Sequence, residues 1–319
     1  MMRRQFPKAL KPQQTVGIIS PAYPTLQDAA NEDPFQKAEA FLIQAGYHPR
    51  WLPNAKKHWR YMAAQDAQRR DDIHAAFLEP EISAIWCARG GYGTMRLLAD
   101  IDWSLIASHP KLLLGFSDIT ALQLAAYTKT GLISLYAPML TSNLINPQEE
   151  PETSWQDIAR LLNPELCLPY RVPNRASWQC IQPGKAEGIL LGGNLSLIAS
   201  LCGTPYLPDF SGCILFLEDW LESAHSLDRQ FQQLRLAGVF DGLAGLLLCD
   251  FSQLTASTYA PNLAWPALFE DLTHHLNCPV GLGFSCGHCP AMTTLPQGVL
   301  ARLDTTTGHL VLLESPVVH

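Results

Sequence analysis

The stretch KLLLGFSDIT, residues 111–120, decides how this chain folds. Lys111 to Gly115 is a short apolar run of the kind that makes a buried strand. Asp118 to Thr130 carries a helical pattern, and only a tight turn fits between the two. A strand running directly into a helix is half of a βαβ unit, and the flanking sequence repeats it. Upstream, Thr15 to Ser20 (TVGIIS) reads as a buried strand and Pro34 to Ala45 as a helix stopping at Gly46. His48 to Leu52 is a second strand, and Asp66 to Leu78 a helix bounded by Pro80. Ile82 to Ala88 (ISAIWCA) is a third strand that runs into Arg89-Gly90-Gly91-Tyr92-Gly93, with a short helix over Thr94 to Ala99. Downstream, Ile133 to Tyr136 is a further strand. Strands alternating with helices predict a parallel, doubly wound sheet, whose sites lie in loops at the carboxyl ends of its strands.

Beyond residue 145 the composition shifts. Asn146 to Thr153 and Asn163 to Ser177 are rich in Pro, Asn and Glu, with one amphipathic helix between them. A domain boundary near residue 170 follows, dividing the chain into 1–170 and 171–319. The second part opens with the strand-like Ala186 to Gly193 and a helix from Asn194 to Leu201 with an Asn N-cap. Cys213 to Glu218 is a strand and Ser226 to Ala237 a helix. Leu243 to Asp250 and Pro279 to Phe284 are strands flanking a helix near Leu263 to Leu276. Val299 to Asp304 and His309 to Leu313 form a hairpin around Thr305-Thr306-Thr307-Gly308.

Composition narrows the function classes. The 319 residues are 47% hydrophobic and 16% charged, with 22 basic and 29 acidic side chains and a net charge of −7. A mildly acidic chain without a basic run is poorly suited to nucleic acid or to an anionic membrane surface. No apolar run approaches the ~20 residues of a membrane span. Met1 to Gln14 is polar and basic, without the apolar core of a signal peptide. The nine cysteines are scattered, and Cys87, Cys202, Cys213 and Cys249 fall inside apolar patterns. Reduced, buried thiols of a cytoplasmic protein are expected rather than a disulfide framework.

Ser117 is the first candidate for chemistry. A serine on a tight strand-to-helix turn resembles a nucleophile elbow, which exposes Oγ above the sheet and aims the first helix amides at a developing oxyanion. The plain alternative is a helix N-cap, and the full G-x-S-x-G pattern is absent. The glycines of the 89–93 loop let backbone N–H groups approach a ligand. That loop is a tight turn, a phosphate cradle lacking the usual G-K-[ST], or one side of an oxyanion hole facing Ser117. Of ten histidines, His58, His74 and His109 look solvated. His288 differs, because Phe284 to Pro290 is a loop just past a buried strand, where an inward histidine can act as general base. Cys286 and Cys289 flank it but supply at most half of a zinc site. Glu218 ends an apolar strand, where a carboxylate is costly to bury unless paired. Its neighbour Asp219 is the rival, and a solvated loop acid is the alternative for either.

Five motifs in one order resemble the LD-carboxypeptidase family, serine peptidases that include the muramoyltetrapeptide carboxypeptidases. They are Gly115-Phe-Ser-Asp-Ile-Thr120, Arg89-Gly-Gly-Tyr-Gly93, Gly188-Ile-Leu-Leu-Gly-Gly-Asn-Leu195, Leu217-Glu-Asp219 and Gly287-His288. They span residues 15 to about 300. The resemblance implies Ser117 as nucleophile, His288 as base, Glu218 as the acid orienting it, and an oxyanion hole from the backbone amides of Gly91 and Asp118. It implies an α/β fold: an N-terminal flavodoxin-like, class I glutamine amidotransferase-like parallel sheet domain and a smaller C-terminal α/β domain, with the triad across their cleft. The N-terminal domain would carry the nucleophile and the C-terminal domain the acid and base. It implies a cytoplasmic homodimer of cell-wall recycling, using no metal and no cofactor. The substrate would be murein tetrapeptide, free or in a sugar- or nucleotide-linked form, cut at the L-to-D bond that releases terminal D-alanine. The family's tyrosine position after the acid carries His225 here, and Trp220 is bulky at the cleft edge. Two other functions compete. One is a microcin-immunity-type hydrolase of aminoacyl-nucleotide amides, whose members tend to be longer. The other is a catalytically silent binding module on the same scaffold, against which the intact Ser, Glu and His argue.

Overall fold

The structure is a computed structural model that describes residues 3–26, 33–255 and 264–319. The apolar runs of the first half become β1 (Thr15–Ile19), β2 (His48–Trp51), β3 (Ile82–Cys87), β4 (Leu112–Gly115) and β5 (Ser134–Tyr136). They pair in parallel in the order 2-1-3-4-5. This is the flavodoxin-like order, and its switch point lies between β1 and β3. The three central strands β1, β3 and β4 are buried almost throughout, as expected of a parallel sheet covered on both faces. The loops leaving them carry Tyr23, the 89–93 glycines and Ser117.

The second half builds a larger sheet. Its strands are β6 (Tyr170–Arg171), β7 (Gln179–Gln182), β8 (Lys185–Asn194), β9 (Cys213–Glu218), β10 (Gly245–Leu248) and β11 (Val280–Leu282). The chain then makes β12 (Leu295–Gln297), β13 (Val299–Asp304) and β14 (His309–Leu312). The eight-stranded order is 6-14-13-8-9-10-11-7, with 8 to 11 parallel and the outer strands antiparallel. The expected hairpin is present as β13 and β14. The remaining strand, β12, crosses back and pairs antiparallel with β5 at the edge of the first sheet. Nothing in the sequence reading anticipates it: Leu-Pro-Gln is short and carries a proline, which a sheet tolerates at an edge.

Eight α-helices are described: α1 (Pro34–Gln44), α2 (Asp66–Leu78), α3 (Trp103–Ser108), α4 (Thr120–Thr130), α5 (Pro151–Leu162), α6 (Leu195–Leu201), α7 (Ala224–Leu236) and α8 (Trp265–Thr273). The sequence reading leaves out α3. The reading near Leu263 to Leu276 corresponds to α8, and Leu263 itself lies outside the described residues. The helix expected from Asp118 begins instead as one 3-10 turn, Ser117–Ile119, before α4. The Thr94 to Ala99 helix is likewise a 3-10 turn, over Thr94–Leu97. Cys202 is half-buried rather than buried.

Helix α4 explains how the halves join. Its sequence TALQLAAYTKT is apolar on more than one side, and Thr120 to Ala126 are all buried. It packs against both β8 and α6, so it lies between the two sheets. Polar links cross the same seam. The Gln297 amide bonds both the N–H and the C=O of Gly192, at 2.9 and 2.8 Å. The Asn194 N–H donates to Thr120 Oγ1 at 3.0 Å. No helix among the described residues is long and apolar enough to cross a membrane.

Candidate active site

Ser117 follows β4 with φ of 61°. A non-glycine residue in this left-handed region is strained, and such strain persists only where the surroundings enforce it. Here the Ser117 N–H donates to Tyr136 Oη at 3.1 Å, at the carboxyl end of the neighbouring strand. The side chain faces a cleft of about 430 Å³ between the sheets, which Arg89, Gly91, Phe116, Trp220 and His288 also line. The elbow reading fits this backbone, whereas an N-cap residue occupies extended conformation. Phe116 is the residue in that position.

Glu218 ends β9 fully buried. Its two oxygens are both used. Oε2 accepts from His288 Nδ1 at 2.7 Å. Oε1 accepts from Tyr136 Oη at 2.7 Å and from Asn194 Nδ2 at 3.2 Å. A carboxylate only accepts, so Nδ1 carries the hydrogen and Nε2 is left with its lone pair. Burial pulls the His288 pKa down, but Glu218, aided by Asp219 and Asp250, outweighs it, and the value lies above that of an ordinary histidine. Gly287, at φ 124°, lets the loop lie against the acid: a Cβ there would come within 2.7 Å of Glu218 Oε2. Two rings pack against the imidazole, Trp220 stacked at 5.4 Å and 11° and Phe116 tilted at 4.9 Å.

Neither acid is a solvated loop residue. Asp219 is buried too, but serves another element. It accepts from the Ser196 N–H at 3.0 Å, Asn194 Nδ2 at 2.9 Å and the Trp220 N–H at 2.9 Å, which anchors the start of α6. Burial and the adjacent Glu218 push its pKa up to about 6. Of the two neighbours, Glu218 is the one that bonds the histidine.

The two proposed oxyanion donors lie on adjacent loops. Asp118 is in the first turn of its helix, where amides have no intrahelical partner. Its own carboxylate is buried, which pushes its pKa up, and it accepts from the Thr94 N–H at 2.9 Å and from Thr94 Oγ1. That contact ties the 89–94 loop to the Ser117 turn. Gly91 has φ of 115°, and a Cβ there would come within 2.2 Å of the Tyr23 ring, so no other residue fits.

His225 is exposed, hydrogen-bonds Ser223 at 3.2 Å and does not line the cleft. His74 is not simply solvated, since its Nε2 accepts from the Asp102 N–H at 2.9 Å. Cys286 is buried beside Cys249, and the described residues hold no group of three or more His, Cys, Asp or Glu arranged for a metal. Tyr136 is the residue that sequence reasoning misses. The available signal is a phenol closing a short buried strand, since a buried tyrosine hydroxyl needs a partner.

Comparison with known proteins finds relatives of the whole chain. Family profiles described as LD-carboxypeptidase N-terminal domain and LD-carboxypeptidase C-terminal domain match residues 16–137 and 187–303. The chain is 36% identical over 308 residues to a Bacillus subtilis (strain 168) protein named "Probable murein peptide carboxypeptidase", covering 96% of this chain and 93% of that one. It resembles the crystal structure of muramoyltetrapeptide carboxypeptidase from Oxalobacter formigenes with a TM-score of 0.80 and 30% identity, over 94% of this chain and 98% of that one. It is also 27% identical over 332 residues to the Escherichia coli microcin C7 self-immunity protein MccF, covering 94% and 95% of the two chains. A wild-type apo structure of MccF matches with a TM-score of 0.90 at 24% identity, over 98% and 99%, a likeness of fold alone.

Proposed function

The chain belongs to the LD-carboxypeptidase family, and from that premise we propose that it is a serine carboxypeptidase of murein tetrapeptide, with Ser117, His288 and Glu218 as its triad. The supporting observation is the hydrogen-bonded path from the backbone of the strained Ser117 through Tyr136 to Glu218 and on to His288, with Ser117 and His288 lining one cleft. In this reading His288 Nε2 takes the Ser117 proton as Oγ attacks the carbonyl carbon of the L-to-D bond. The amides of Gly91 and Asp118 hold the oxyanion. His288 then returns the proton to the leaving nitrogen of D-alanine as the C–N bond breaks. Water, deprotonated by the same imidazole, hydrolyses the acyl-enzyme. Glu218 keeps the tautomer and stabilises the imidazolium. A cytoplasmic location and a homodimer belong to the same proposal.

The test is mass spectrometry of murein tetrapeptide incubated with the protein and with Ser117→Ala. Loss of one alanine by the wild type, and a fall of at least about 10⁴-fold in the folded variant, is the expected outcome. Turnover retained within about tenfold removes Ser117 from the mechanism. Faster cleavage of an aminoacyl-nucleotide amide than of tetrapeptide reassigns the substrate to the microcin-immunity type.

A further inference from the structure

Arg89 is a cation in the cleft that the triad does not use. It is half-buried and lines the same cavity as Ser117 and His288. Other arginines of the chain, such as Arg69, Arg96 and Arg175, are paired with aspartates at 2.5 to 2.6 Å. Arg89 pairs with no carboxylate among the described residues. Glu149, the acid that shares the lining, does not bond it. One guanidinium nitrogen, Nη1, donates to the Pro24 carbonyl at 3.2 Å. Among the described residues the Nε–H is buried without an acceptor. Burial lowers the Arg89 pKa. A buried donor without a partner costs free energy that a matching acceptor recovers.

Position gives that acceptor an identity. The next residue, Gly90, lies against the nucleophile: a Cβ there would come within 3.3 Å of Ser117 Oγ. Arg89 thus directly precedes the residue that packs on Ser117, and it lines the same cleft as Ser117 and His288. In a peptide cut at its last bond, the terminal carboxylate is separated from the scissile carbonyl carbon only by the leaving nitrogen and its α-carbon. A guanidinium is a planar fork matched to a carboxylate. We propose that Arg89 binds the C-terminal carboxylate of the substrate and thereby makes the enzyme a carboxypeptidase rather than an endopeptidase. The inference rests on the carboxypeptidase reading above and adds the group that selects the chain end.

The experiment compares the tetrapeptide bearing a free C-terminal carboxylate with the same peptide bearing a C-terminal carboxamide. Wild type, Arg89→Gln and Arg89→Lys are assayed on both. The wild type is expected to prefer the acid by about 100-fold in kcat/KM, and Arg89→Gln to lose about 100-fold on the acid, mostly in KM, and far less on the amide. Arg89→Lys keeps the charge without the fork and should recover part of the preference. Equal cleavage of both peptides by the wild type, or an equal loss on both in Arg89→Gln, overturns the assignment of Arg89 while the carboxypeptidase reading stands. Cleavage of neither peptide by the wild type overturns that reading and the Arg89 assignment with it. Fluorophosphonate labelling of Ser117 in Arg89→Gln, at the wild-type rate, reports that the variant is folded around an intact nucleophile.

Discussion

Two buried acids next to each other in sequence serve different elements, and only one of them bonds the proposed base, His288. His288 must be neutral to accept a proton. Burial alone would lower its pKa, and the Glu218 carboxylate at 2.7 Å more than reverses that. Activity is therefore expected to rise with pH through one ionisation lying above the ordinary histidine value of about 6.5. Replacing Glu218 by Gln removes the attraction and leaves the burial, so the inflection should move to lower pH. The rate should fall by about 10³–10⁴-fold, because an amide neither fixes the tautomer nor stabilises the imidazolium. A pH–rate profile of kcat/KM for both proteins measures this. An inflection that stays in place in Glu218→Gln would mean that another group sets it. Tyr136 belongs to the same scale: its hydroxyl accepts from the nucleophile's backbone and donates to the acid, and so fixes both ends of the path.

At the scale of elements, β9 delivers Glu218 and Asp219 in succession, and the helix beside it decides what the second one does. Helix α6 is capped by Asn194, whose Oδ1 accepts from the Leu197 N–H at 3.2 Å. Asp219 accepts from the first turn of the same helix and from the other end of the Asn194 amide. Its contribution is to the placement of α6, and through Asn194 only indirectly to Glu218. Asp219→Asn should therefore stay within about tenfold of wild-type kcat/KM and cost about 1 kcal/mol of stability, the usual scale of a lost cap. Steady-state kinetics beside the Glu218 variant decides this, and a larger loss in Asp219→Asn than in Glu218→Gln would exchange the roles of the two acids. The β4–α4 junction shows the same dependence on neighbours. The tight Gly-Phe-Ser turn is written in the sequence, but its left-handed serine is held by the strand beside it.

For the whole molecule, the site exists because two sheets are held in one relation. Helix α4 fills the seam, and Gln297 of β12 crosses it to bond both polar groups of Gly192. Gln297→Ala would leave a buried N–H and a buried C=O unpaired, at a cost of about 2–4 kcal/mol. Urea unfolding should show a lowered midpoint, with kcat reduced as the residues of the proposed triad lose register. An unchanged midpoint would mean that Gln297 does not hold the seam. The sequence by itself determined the alternation of strands and helices, the parallel order of the first sheet's class, the tight turn at Ser117 and the set of motifs that points to the family. These are local properties, set by hydrophobic period, turn chemistry and short spacing. Tertiary structure decided what no local pattern encodes. It brought Ser117 and His288, 171 residues apart, to one cleft, and set the buried Glu218 against His288. It gave Tyr136 and Gln297 their partners, separated Glu218 from Asp219, and returned Leu295–Gln297 to the first sheet. Each of these depends on pairing between distant segments, whose energy comes from desolvated hydrogen bonds that form only once both segments are buried together.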